Sequence, residues 1–324
     1  MNSTLQCSTQ DGPAISIFEL LCQNRSKLRS GPNHVATIDS IIELGNRYAD
    51  QGKLEEAEVL YQHALQGYRS ALGEYAVSSL ETLDNLGIIY SAANQPHETK
   101  RILFSALESK LKVFGPEHRS TLMTAHNIGK FYADQGETDD AEMLYRLVLS
   151  GKVRSLGTEH VSTIMTMNNL GVIHRRQGAL EQAEATYQQA LTAGLKAFGP
   201  DHMVVLDTLN NLGCLYEDMG QLIKAKHMYK QTMSGREKTV GPEDISTLDT
   251  ANNLGAIYQA LGKHRKAQKL YKQAFEGYEK ILGYHHSKAQ RAEFGLMGST
   301  YRSFPRKSHW VLKAICGKRR AMAW

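Results

Sequence analysis

The sequence predicts an all-α protein that is built as an α-solenoid of antiparallel helix pairs. Two observations support this prediction. A glycine recurs every 42 residues from Gly31 to Gly283 without an insertion, and each interval has the same order of apolar, small and polar residues. Each interval also contains two helical patterns separated by glycine-containing breaks. Repeats of this kind bury their apolar faces against their neighbours.

The repeats divide the chain into three parts. Residues 31–282 hold six complete repeats, numbered here from position 1 at the recurring glycine. Residues 1–30 are interpreted as an N-terminal tail and capping helix, because residues 13–28 can form an amphipathic helix. Residues 283–324 are interpreted as a degenerate seventh repeat and a basic tail. For residues 302–324, a divergent cap, a loose tail and a gene-model artefact all remain open.

Each repeat begins with a break such as "GPEH" or "GPDH". The glycine fits the left-handed residue that ends a helix, and proline prevents the helix from continuing. The Ser-Thr pairs that follow are predicted N-caps of the first helix. They begin at Ser120, Ser162 and Ser246. A second break at position 22 is glycine, replaced once by Asn94, the other residue that tolerates left-handed geometry.

The interior pattern predicts tight packing within each helix pair. Position 15 is glycine in all six repeats, although a glycine inside a helix costs about 1 kcal/mol relative to alanine. Close approach of the two helices explains this cost. Position 27 is small in every repeat, and positions 18 and 31 carry large rings in most of them. Small residues let helices approach, and rings fill the adjoining space.

This order of Leu-Gly, aromatic, alanine and aromatic residues resembles the tetratricopeptide repeat. The 42-residue length, the "NNLG" of the first helix and the "GPEH" between repeats are similar to the kinesin light chain branch, and fungal NTPase-type signalling proteins carry similar arrays. The resemblance covers about 252 residues. It implies a right-handed superhelix whose first helices line a concave groove, and a non-catalytic scaffold. The second repeat departs from the pattern at Asn94, Thr99 and Leu103.

The resemblance further implies that position 13 faces the groove and forms a ladder of asparagines. The candidate peptide-binding residues are these asparagines, those at position 12 and two nearby cations: Asn85, Asn127, Asn169, Asn211 and Asn253; Asn168, Asn210 and Asn252; Lys130 and Arg176. An amide offers two donors and one acceptor, so it can pair with the backbone of an extended peptide. The alternative is that these amides bond to the adjacent repeat and hold the stack together.

The charge of the predicted groove indicates the kind of peptide. By family analogy, positions 9, 12, 13, 16, 19 and 20 line it. They carry ten acids and three bases: Asp39, Glu43, Asp50, Glu81, Asp84, Asp134, Asp207, Glu217, Asp218 and Asp249 against Lys130, Arg175 and Arg176. A neutral or basic partner segment is therefore predicted. The acidic ligands of kinesin light chains and the acidic C-termini of chaperones are disfavoured.

Other chemistries are less well supported. The histidines at position 4, including His34 and His118, lie in separate loops and are interpreted as packing residues rather than metal ligands. No phosphate-binding loop or nucleophile motif occurs, so neither an enzyme nor a cofactor is predicted. The four cysteines lie far apart and include no CxxC, and no signal peptide opens the chain. These features predict a cytoplasmic protein without disulfides.

Two alternative functions remain open. The array could be the sensor part of a signalling system that works with a separate nucleotide-binding protein. Alternatively, the basic tail could bind nucleic acid or an anionic membrane through residues 302–320. Residues 283–324 carry nine Lys or Arg against one acid, whereas residues 31–282 carry 26 basic and 30 acidic side chains. A solvated tail is favoured over a binding tail.

Overall fold

The computed structural model describes residues 35–303, with side chains to residue 299. Thirteen α-helices and no strand occur in this range. They are α1 (Val35–Asp50), α2 (Leu54–Leu72), α3 (Val77–Ala92), α4 (Pro96–Phe114), α5 (Arg119–Gln135), α6 (Thr138–Leu156), α7 (Val161–Arg176), α8 (Leu180–Phe198), α9 (Met203–Asp218), α10 (Leu222–Thr239), α11 (Ile245–Ala260), α12 (His264–Leu282) and α13 (Ser287–Ser303). Odd-numbered helices are the first helices of repeats and even-numbered helices are the second.

The helices fall into two compact units. The N-terminal unit ends at Ser155 and holds repeats 1–3, and the C-terminal unit begins at Leu156 and holds repeats 4–6 with α13. The division lies within one residue of the boundary between the third and fourth repeats. Helix α13 stands where the degenerate seventh repeat is predicted. The predicted N-terminal capping helix, His34 and most of the basic tail lie outside the described residues.

Inside each unit, second helices pack between two first helices. Contacts join α2 to α3, α4 to α5, α8 to α9 and α10 to α11, in addition to contacts within pairs such as α1 with α2. First helices also contact each other directly in α3–α5, α7–α9 and α11–α13. The first helices of neighbouring repeats therefore form one layer, with the second helices behind it. No helix in residues 35–303 is long and apolar enough to cross a membrane.

In repeats 3 to 6 the N-caps of the first helices are the position 4 side chains, whereas Ala76 at this position of repeat 2 makes no side-chain cap bond. The Nδ1 atoms of His118, His160 and His202 accept a hydrogen bond from the backbone N–H two residues later, at 3.1–3.3 Å. Asp244 Oδ1 does the same at 2.8 Å. The prediction that Ser120, Ser162 and Ser246 are the caps is wrong, because a cap precedes the helical residues whereas these serines lie in the first turn. The histidines thus have a definite structural role.

The threonine of each Ser-Thr pair closes the loop instead. Thr163 Oγ1 donates to Gly157 O and Thr247 Oγ1 to Gly241 O, both at 2.8 Å. These repeat-start glycines have positive φ, as predicted, but a different ψ: Gly199 has φ 80° and ψ 176°. This extended conformation with positive φ is almost restricted to glycine. Asn94, with φ 55°, is the only non-glycine with positive φ in the described range.

The position 15 glycines pack against the position 31 side chain of the same repeat. A Cβ added to Gly213 would lie 2.5 Å from Tyr229 Cε1, and one added to Gly171 would lie 2.5 Å from Tyr187 Cε1. The predicted packing reason is confirmed, but the neighbour is an aromatic ring rather than a backbone. The position 27 residues are fully buried in all six repeats: Ala57, Thr99, Ala141, Ala183, Ala225 and Ala267.

Candidate binding surface on the first helices

One face of each first helix is exposed, and we call these faces together the open stripe. It consists of positions 9, 13, 16 and 20, which share a helix face because they are spaced by four, three and four residues. In repeat 5 these are Asp207, Asn211, Cys214 and Asp218, all at least partly exposed. Positions 14 and 15 of the same helix are buried. Position 13 therefore lies on the accessible face of the helix, at the edge where that face meets the buried core.

The asparagines at position 13 are partly exposed in repeats 2 to 6. Within residues 35–299, the side-chain amides of Asn85, Asn127, Asn211 and Asn253 form no hydrogen bond with another residue. Asn169 is partly exposed and does interact with another residue. Four of the five amides thus keep their donors and acceptor available, and those four do not bond to an adjacent repeat.

The asparagines at position 12 have a different environment. Asn168 is 6% exposed, and its Nδ2 donates to Thr208 Oγ1 of the next repeat at 2.9 Å. Assigning Asn168 to a peptide-binding surface is therefore wrong. One residue along a helix is a rotation of about 100°, which turns position 12 into the boundary between repeats. The Oδ1 atoms of Asn210 and Asn252 are also enclosed, so they cannot accept a hydrogen bond from a peptide on the open stripe.

Polar side chains at position 38 of the second helices complete this boundary. Lys110 is fully buried, with Nζ 2.6 Å from Asp84 Oδ2 and 2.8 Å from Thr124 Oγ1 of the next repeat. Arg236 pairs with Asp207, and its Nη1 donates to Thr250 Oγ1 at 2.8 Å. We call these groups the polar clamps. Burial raises the pKa of Asp84, and the Lys110 ammonium opposes that rise.

Sequence reasoning misses the polar clamps, although a signal is present. Position 38 is polar in five of the six repeats, although position 35, one helical turn earlier on the same face, is apolar in all six. Its occupants are Tyr68, Lys110, Lys152, Gly194, Arg236 and Tyr278. The two tyrosines donate to Asp39 and Asp249. A charged or phenolic residue that recurs every 42 residues on an inner face indicates a partner on the facing helix.

The clamps also correct the predicted charge of the groove. Four of the ten acids have cationic partners: Asp84 with Lys110, Asp207 with Arg236, Asp218 with Arg175 and Asp249 with Lys288. The fully exposed acids of the set that form no ion pair within the described residues all lie in the N-terminal unit, and they are Asp39, Glu43, Asp50, Glu81 and Asp134. Lys130 is the one base of the set in that unit, and it is exposed. The C-terminal unit holds the partly exposed Glu217 against the exposed Arg176. The acidic excess is thus local to the N-terminal unit.

Cys214 lies on the open stripe of repeat 5. Its Sγ accepts a hydrogen bond from Tyr229 Oη at 3.1 Å, and Tyr229 Oη is also 3.2 Å from Glu217 Oε2. Burial raises the pKa of the Cys214 thiol, so the nucleophilic thiolate is disfavoured. No cluster of three or more His, Cys, Asp or Glu side chains in the described part of the chain has the arrangement of a metal site.

Two protein-family models match this chain. A tetratricopeptide repeat model matches residues 34–109, 120–194 and 162–238. A second tetratricopeptide repeat model matches residues 247–287. The chain belongs to the tetratricopeptide repeat family. A search of curated proteins gave no match.

Solved structures of tetratricopeptide repeat proteins share the fold. A kinesin light chain-type protein of Podospora anserina with nearly identical TPR-like repeats is 24% identical, covers 64% of this chain and 97% of its own, and has a TM-score of 0.55. A Rap protein complexed with Competence and Sporulation Factor is 16% identical, with 88% and 80% covered and a TM-score of 0.58.

A third similar structure is a signal transduction ATPase with a tetratricopeptide repeat sensor from Pyrococcus horikoshii. It is 16% identical, the match covers 94% of this chain and 43% of that one, and the TM-score is 0.67. These identities show the fold alone. The matched structures confirm the all-α repeat fold, and they include the two kinds of tetratricopeptide array that the sequence resembles, the kinesin light chain-like kind and the signalling-ATPase kind.

Proposed function

We propose that this protein is a non-catalytic scaffold that binds an extended segment of a partner protein along the open stripe. Tetratricopeptide repeats indicate a protein-interaction scaffold, and the open stripe is the surface that this chain offers for it. The observation that carries the proposal is the contrast between two adjacent positions. Asn168 at position 12 is buried and bonded, whereas Asn85, Asn127, Asn211 and Asn253 at position 13 are accessible and unbonded within the described residues.

The chemistry of the amides suits a peptide backbone. Each asparagine can accept from one backbone N–H and donate to one C=O, so it holds a segment without reading its side chains. Each amide lies on a helix, and that helix is held in place because it packs against its neighbours. Pre-organisation of this kind lowers the entropy that binding must offset.

The exposed charges support a neutral or basic segment. In the N-terminal unit, five exposed acids on the first helices are accompanied by Lys130 alone from the same set of positions. An acidic segment would meet repulsion there, and repulsion of this kind contributes to selection between partners. The proposal places the partner in the cytoplasm, and the cysteine usage of the chain supports that location.

The proposal is tested by affinity capture of partners from the native cell with the full chain as bait. A bait with Asn211→Ala and Asn253→Ala removes two amides of the open stripe. A bait with Gln66→Ala is the matched control, because it removes an exposed amide of α2 that lies outside the open stripe. Partners that bind the wild-type and control chains are expected to be lost from the double variant. Partners retained by a folded double variant would contradict the proposal.

A further inference from the structure

A pocket of about 180 Å³ opens on the layer of first helices in the N-terminal unit. It lies between α3 and α5, with α4 beneath it. Its lining comprises Gly87, Ile88, Ser91, Ala92, Leu103, Asn127, Lys130, Phe131 and Asp134. We propose that this pocket receives one apolar side chain of the bound segment and so determines specificity, an inference that rests on the proposed function.

The pocket can be traced to the divergent residue of repeat 2. Position 31 is tyrosine in the other five repeats and Leu103 here. In repeat 1, Tyr61 Oη donates to Asn46 Oδ1 at 2.7 Å, and in repeat 5, Tyr229 Oη donates to Cys214 Sγ. The tyrosine therefore reaches position 16 of the first helix in those repeats.

Leu103 packs on the position 15 glycine as the tyrosines do, but it is too short to reach position 16. A Cβ added to Gly87 would lie 2.3 Å from Leu103 Cδ2, so the side chain is seated against the helix. Position 16 of this repeat is Ile88, which is 45% exposed. The space that a phenol would fill is left open, with apolar atoms around it.

The lining selects the chemistry of the occupant. Ile88, Ala92, Leu103 and Phe131 supply apolar walls, and an apolar cavity of about 150 Å³ is sufficient to bind benzene. A charged side chain would be desolvated here without a partner at the base. The rim carries both Lys130 and Asp134, two exposed charges of opposite sign on α5. The pocket thus fits a neutral aliphatic side chain or a phenyl ring.

The position of Asn127 links the pocket to the asparagine ladder. Asn127 lies on α5 and lines the pocket, and its side-chain amide forms no hydrogen bond with another residue of the described range. In an extended segment, alternate side chains face the same direction, so a residue held through its backbone at Asn127 directs its own or a nearby side chain into the pocket. Asn127 would then bind the backbone of the segment at the same site where the pocket selects its side chain.

The test uses small probes that occupy the pocket without the rest of a peptide. The N-acetyl methylamides of leucine, phenylalanine and serine are titrated into the full chain, and the Ile88 and Leu103 methyl signals are followed by NMR. The leucine and phenylalanine probes are expected to give saturable shifts with millimolar Kd, at least tenfold tighter than the serine probe. Equal affinity for all three, or shifts that do not saturate, would overturn the proposal.

Leu103→Tyr installs the residue that the other repeats carry and should fill the pocket. It is expected to weaken the leucine probe at least tenfold without lowering Tm. Leu147→Tyr, at a 59% exposed leucine on α6, is the matched control and should leave binding unchanged. If Leu103→Tyr does not fold, Ile88→Ser with Leu103 methyls as the reporter replaces it and should weaken the probe similarly. Undiminished probe binding in either folded variant would contradict the assignment.

The outcomes distinguish the pocket from the proposed function. The probes have no extended backbone and do not need the asparagines of the C-terminal unit. A chain that binds the leucine probe but captures no partner through Asn211 and Asn253 refutes the proposed function. A chain that captures partners through those asparagines but shows no preference for the leucine probe refutes the pocket.

Discussion

Lys110 and Asp84 form an ion pair inside the N-terminal unit, with 2.6 Å between Nζ and Oδ2 and side chains 0% and 7% exposed. Thr124 of the following repeat bonds to both partners. Asp84 and Lys110 occupy positions 12 and 38 of one repeat, and position 12 directly precedes position 13 in the sequence. The geometry of the pair shows why neighbouring residues of one first helix have different roles: position 12 closes the boundary between repeats, and position 13 faces outward.

Truncation of one clamp partner should be strongly destabilising. Lys110→Ala leaves the Asp84 carboxylate buried without a cation, and the removal of one partner from a buried pair costs about 3–5 kcal/mol. The combined change Lys110→Met and Asp84→Leu removes both charges and should recover most of the loss. Urea unfolding of the two variants and the wild-type chain measures these differences.

Lys112→Ala is the matched control for the clamp. Lys112 pairs with Glu108 at 2.6 Å one helical turn away, but both side chains are about 70% exposed. Water and salt screen an exposed pair, so it contributes little to stability and this variant should unfold near the wild-type midpoint. A clamp variant no less stable than Lys112→Ala would show that the buried pair does not hold the repeats together.

His126 should make the N-terminal unit sensitive to acid. Its burial, together with the nearby charges of Lys152 and Lys130, lowers its pKa from 6.5 to about 4. Between pH 6.5 and 4 the unfolded chain binds a proton that the folded chain does not, so stability falls as the pH falls through this window. The full effect is of order 3–4 kcal/mol, at about 1.4 kcal/mol per pKa unit.

His126→Asn tests this dependence with the residue that repeats 4 to 6 carry at the same position. Unfolding free energies are measured at about pH 7 and about pH 4.5 for both chains. The wild-type chain should lose more stability than the variant, by about 2 kcal/mol, because the carboxylates common to both cancel. Equal losses of unfolding free energy in the two chains would show that His126 takes up its proton equally in the folded and unfolded states.

Gly213→Ala should be destabilising, although alanine is the better helix former. The added Cβ would lie 2.5 Å from the Tyr229 ring, and overpacking of this kind costs about 1–3 kcal/mol. Gly298→Ala is the control within a helix, because among the described residues its Cβ would meet only Gln259 Nε2, at 3.3 Å. This control should be neutral or stabilising by up to about 1 kcal/mol. Thermal unfolding that ranks the two variants in the opposite order would refute the packing role of position 15.

The sequence predicts the repeat architecture because its determinants are local. Glycine at the breaks, small residues at position 27 and rings at position 31 act within one helix pair, so their spacing specifies the packing. The caps are harder to assign, because serine and histidine are both polar and stand two residues apart. The sequence signals the clamp around Lys110 only through the polar residue at position 38. Its members Asp84, Lys110 and Thr124 lie on three helices, and sequence spacing does not show which helices face each other.

The candidate site is predictable only in part for the same reason. The helical rotation distinguishes position 13 from position 12 only when the direction of the next repeat is known, and the sequence alone therefore groups Asn168 with Asn169. The pocket at Leu103 follows from a departure from the repeat pattern. That departure is visible in the sequence, but its consequence depends on how far a tyrosine reaches in the other repeats.

The division of roles between positions 12 and 13 is tested most directly by comparing Asn168→Ala with the double variant Asn211→Ala and Asn253→Ala. Peptides are selected from a random library on the wild-type chain, and their Kd values are measured for each variant by calorimetry, alongside Tm. The double variant should bind about 10–100-fold more weakly at unchanged Tm, since each lost hydrogen bond is worth about 0.5–1.5 kcal/mol. Asn168→Ala should lower Tm and keep the wild-type Kd below its transition. A double variant that melts early and binds as tightly as the wild-type chain would contradict the assignment of position 13 to the binding surface.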